Sequence, residues 1–110
     1  EQTPVMINDA ALAERMDGVF RAHFQDDQCT SMDRTGMGAE DFPFFTNVEP
    51  PIPGLYFMVG GTPQEAFDAA AAGGPPVPSH HSPFFKVTPE PAIKMGVEAM
   101  TVAVFELLEP

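Results

Sequence analysis

Apolar positions along the chain fall into three patterns. Leu12, Met16, Val19, Phe20 and Phe24 recur at helical intervals with His23 at the border, while Glu14, Arg15, Asp17 and Arg21 lie mostly opposite. This period predicts an amphipathic helix over about 9–24. Asn8 is a preferred N-cap residue, and Asp9 then carries negative charge into the first turn, where the helix dipole favours it. The second pattern is Leu55-Tyr56-Phe57-Met58-Val59, apolar at every position and ended by Gly60-Gly61. A strand apolar on both faces is expected to be covered on both sides, as in a parallel or mixed sheet between helices. The third opens at Thr88. Ile93, Val97, Met100, Val104, Leu107 and Leu108 make one face; Ala99, Val102, Ala103 and Phe105 extend it, leaving Lys94, Glu98, Thr101 and Glu106 as a narrow polar edge. Thr88 can cap this helix, and Pro89 and Pro91 fall in its first turn, where N–H groups have no helical partner. A helix of 89–108, apolar nearly all round, is expected to be buried.

The intervening stretches are shorter. Thr3 to Ile7 reads as an extended lead-in, Gln25 to Gln28 as a polar turn and Cys29 to Arg34 as a short strand. Gly36-Met37-Gly38 interrupts regular structure, Pro43-Phe44-Phe45 suits one helical turn, and Glu49 to Gly54 is a proline-stiffened loop. Gln64 to Ala72 is an alanine-rich surface helix and Gly73 to Pro78 a loop. Together these elements predict the α/β class: a partial mixed or parallel sheet with flanking helices, in a single segment of 110 residues.

Composition narrows the function classes. The net charge is −11. No basic stripe exists to neutralise phosphates or to dock on an anionic bilayer, so neither nucleic acid nor membrane is an expected partner. No apolar run is long enough to span a bilayer. The one cysteine, Cys29, permits no intrachain disulfide and no zinc ribbon. The first residue is Glu1, not methionine, which suggests processing or truncation upstream, and the compartment, cytoplasmic or periplasmic, stays open.

Candidate chemistry gathers in three places. Ser79-His80-His81-Ser82-Pro83 carries two imidazoles between a proline-rich stretch and the last helix, and imidazole is the commonest protein metal ligand. Adjacent side chains in an extended loop point apart, so His80 is not expected to join His81 in one site. Gly60 and Gly61 follow the candidate strand, where ligands gather in open α/β sheets. Glu40 and Asp41 follow a glycine pair that permits close approach of backbone to a ligand, and serves a simple turn equally well.

Read in order, Pro4-Val5 with Asn8-Asp9, Met37-Gly38-Ala39-Glu40-Asp41-Phe42, Pro53-Gly54-Leu55-Tyr56-Phe57 with Gly60, and His81-Ser82-Pro83 resemble the C-terminal part of metal-dependent amidohydrolases of the aminoacylase/carboxypeptidase type. The branch most resembled is that of hippurate hydrolases and indole-acetyl-amino-acid hydrolases. The resemblance covers nearly the whole chain. It implies an α/β catalytic domain carrying a smaller inserted domain. It also implies a site for two divalent ions, zinc or manganese, that cleaves the amide of an N-acyl amino acid or peptide. It assigns His81 as a metal ligand, and Glu40 and Asp41 to a loop that orients the site, approaches the substrate or caps the following turn. His80 has no matching role. The other ligands and the general base belong to an upstream half that this sequence lacks, so the chain alone is expected to be inactive. An alternative of another class is an acidic interaction module without catalysis. Under the fragment reading, uncovered strand edge and apolar helix surface lead to self-association through an interface above roughly 1,000 Å².

Overall fold

In the computed structural model the described residues are 3–31 and 40–109. They form four α-helices, α1 (Ala10–His23), α2 (Pro43–Thr46), α3 (Gln64–Ala71) and α4 (Pro89–Leu108), with one 3₁₀ turn, Asp26–Gln28. No strand occurs among them, which corrects the α/β expectation. Pro51 to Gly61 forms no turn, bend or strand and has no ladder partner among the described residues. A sheet needs a second strand in reach. The candidate at 29–34 forms none over 29–31, and its remainder, with the glycine pair at 36 and 38, lies outside the described residues.

Contacts divide the chain into two compact units: Glu1–Phe57 with Val102–Pro110, and Met58–Thr101. In the first unit α1 forms where its period predicts, and Met16, at 1% exposure, is its buried residue. Its cap differs from expectation. Asp9, not Asn8, is the N-cap, and its Oδ1 accepts from the Leu12 N–H at 2.8 Å. At the other end Arg21 and His23 set positive or polar groups against the C-terminal carbonyls, and Arg21 Nε donates to Asp17 Oδ2 at 2.8 Å, one turn back. Phe20 lays its ring 5.3 Å from Phe57 and 6.2 Å from Phe24. Arg15 reaches the last turns of α4, donating from Nε to Glu106 Oε1 and from Nη2 to the Glu106 carbonyl, both at 2.7 Å. Pro43 is fully buried at the first position of α2, where its missing N–H costs nothing.

In the second unit α3 buries no residue and stands on alanine propensity and a Gln64 to Asp68 side-chain bond of 2.9 Å. Its end is well defined. Gly73 has φ +90°, Gly74 N–H donates to the Ala69 carbonyl at 2.9 Å and Gly73 N–H to Ala70 at 3.1 Å. That is the Schellman arrangement, which a glycine in the left-handed region completes without steric cost. The Thr88 N–H donates to the Gly61 carbonyl at 2.8 Å and ties the start of α4 to the glycine pair.

Helix α4 spans the expected residues but is not buried. Ala99 and Ala103 are covered, whereas Ile93 is 64%, Val97 63% and Leu108 76% exposed. Ala99 and Ala103 turn inward and most of its large side chains outward, with Met95 and Val102 half-buried.

Candidate functional site

Glu40, Asp41, Tyr56 and Asn8 come together in the first unit. Glu40 sits just before α2. Its Oε1 accepts from the N–H groups of Asp41 (2.8 Å) and Phe42 (3.1 Å), and its Oε2 accepts from the Tyr56 hydroxyl at 2.9 Å. The Phe42 N–H first, then the Tyr56 hydroxyl and the Asp41 N–H, hold this carboxyl below the usual carboxylate range against a small opposing effect of burial. The same bond, with the charge of Glu40 and slight burial, pushes the Tyr56 phenol up. Both carboxylate oxygens are committed, so Glu40 as it stands staples the loop before α2 to the segment 54–57. The Asp41 side chain has no partner among the described residues, and its carbonyl accepts the Phe44 N–H at 3.1 Å.

Asn8, freed from capping by Asp9, pairs with the backbone of Tyr56. Its Oδ1 accepts the Tyr56 N–H at 2.7 Å and its Nδ2 donates to the Tyr56 carbonyl at 3.0 Å. A single carboxamide thus occupies both backbone groups of one residue, as an opposing strand residue would. Next to it the Asp9 N–H donates to the Gly54 carbonyl at 2.9 Å. A Cβ on Gly54 would run into the Thr46 methyl, so glycine permits the close approach there. Sequence reading missed this cluster. The available signal was two consecutive cap-type residues, Asn8 and Asp9, of which one helix can use only one as its N-cap.

The second unit holds His81, Gly60 and Gly61. The Ser82 N–H donates to the Ser79 carbonyl at 2.9 Å, so His80 and His81 occupy the two central positions of a turn. A second turn follows directly: the Phe85 N–H donates to the Ser82 carbonyl at 3.0 Å, and Ser82 Oγ accepts the Phe84 N–H at 3.1 Å. Pro83 suits the first central position of that turn because its φ is already set. Both histidines are exposed. Their ring centroids are 4.3 Å apart, edge to face at 73°. This corrects the expectation that neighbouring rings point apart, which holds for an extended loop and not for a turn. A Cβ on Gly61 would collide with the Val87 side chain, so this glycine serves a tight packing contact. Gly60 has open space where a side chain would stand.

Among the described residues no group of three or more His, Cys, Asp or Glu side chains is placed to hold a metal ion. A zinc site takes about four ligands, of which a catalytic one draws about three from protein. The described donors by themselves do not make up such a site. Likewise no helix among the described residues is long and apolar enough to cross a membrane. No protein family, curated protein or solved structure matches the chain.

Proposed function

We propose that the chain is the C-terminal part of a metal-dependent amidohydrolase that cleaves the amide bond of N-acyl amino acids. In this reading its contribution to the site is the imidazole of His81. The observation that carries it is the double turn at 79–85. Hydrogen bonds from the N–H groups of Ser82, Phe84 and Phe85 fix the backbone on the C-terminal side of His81 while leaving its ring exposed. A ligand contributed to a shared site needs that combination of fixed backbone and open ring. The exposed large side chains of α4 support the same reading, because they suit a chain that is covered by further protein. The remaining ligands and the general base would come from residues outside this chain, and no catalytic step is assigned to the residues within it.

Glu40 acts in this reading as a positioning residue. It holds the loop at 40–46 against Tyr56 through both carboxylate oxygens. The substrate is a small N-acyl amino acid or peptide.

The experiment is an assay of the parent protein on N-acetyl and N-benzoyl amino acids with zinc or manganese added. His81→Ala is expected to lower metal affinity or activity by at least about 100-fold, a loss that even residues supporting a ligand can produce. His80→Ala is expected to leave both within a few-fold of the original. Full activity in a folded His81→Ala protein overturns the ligand assignment. An encoding gene without an upstream half rich in histidine and glutamate overturns the reading as a whole.

A further inference from the structure

We draw no further inference here: the strongest candidate, the exposed apolar stripe of α4 carrying Ile93, Val97 and Met100, is a helix face without cover among the described residues, and nothing in the structure shows what covers it.

Discussion

Truncating Met16 tests whether the first unit possesses a working core. Met16 is 1% exposed and, with Pro43, is one of the two largest side chains fully withdrawn from water. Met16→Ala removes the whole thioether and leaves its volume to be filled by neighbours. Buried methionine-to-alanine changes cost about 2–5 kcal/mol, less where the surroundings can collapse. The unit's sparse core makes collapse easy, so the expected loss is about 2–3 kcal/mol. A chain of this size has roughly 5–15 kcal/mol in total, and one with so little buried belongs at the low end. The substitution should therefore remove about half of it, lowering the urea midpoint by about 1–2 M. Tyr56 is the chain's one tyrosine and lies in the same unit, so its fluorescence reports the transition. The contrast is Phe105→Ala, a larger side chain at 66% exposure in the same unit. It should change stability by less than about 0.5 kcal/mol. A Met16→Ala protein as stable as the original, or a Phe105→Ala protein as damaged as Met16→Ala, refutes the assignment of the core.

The Glu40–Tyr56 bond predicts opposite behaviour at the two ends of the pH scale. The lowered Glu40 carboxyl contributes stability that is complete above the ordinary carboxylate pKa and is lost as pH falls through the lowered value; the raised Tyr56 phenol contributes stability present below the ordinary tyrosine pKa and lost as pH rises through the raised one. Glu40→Gln should flatten the acid side, measured by urea midpoints across pH, and return the Tyr56 titration, followed by ultraviolet absorbance, toward that of free tyrosine; an unchanged titration counts against the bond. Asn8→Ala removes both bonds to Tyr56 and should cost about 1 kcal/mol, the groups being exposed enough for water to replace part of the loss, while Asn8→Asp keeps only the acceptor and should recover less than half. Gly73→Ala places a side chain at φ +90° and should cost about 1–2 kcal/mol in the second unit, read by amide hydrogen exchange at the end of α3; no change there contradicts the Schellman geometry.

Local signals along the chain decide where its helices form. The period of Leu12, Met16, Val19 and Phe20, the alanines of 64–71, the prolines at 89 and 91 and the glycine at 73 act over a single turn of backbone. Such signals are complete within a few residues, and all four helices occupy the stretches they mark, within a residue or two. The exposed histidine loop and the short turn at Pro43 were legible for the same reason. The division of labour between Asn8 and Asp9 was not, because both residues suit a cap. Only the approach of Tyr56, 48 positions away, decided which one turned outward to pair with it. The edge-to-face histidines likewise depend on the turn closed between Ser79 and Ser82, which residue types alone do not specify. Strand and burial failed at a larger scale. Leu55 to Val59 and the large side chains of α4 have the composition of covered structure, but composition states only a preference for cover. A strand exists when a second backbone lies alongside it, and a helix is buried when other atoms stand on its face. Those are properties of what is brought near. Among the described residues, the neighbour that reached Tyr56 was one carboxamide rather than a strand.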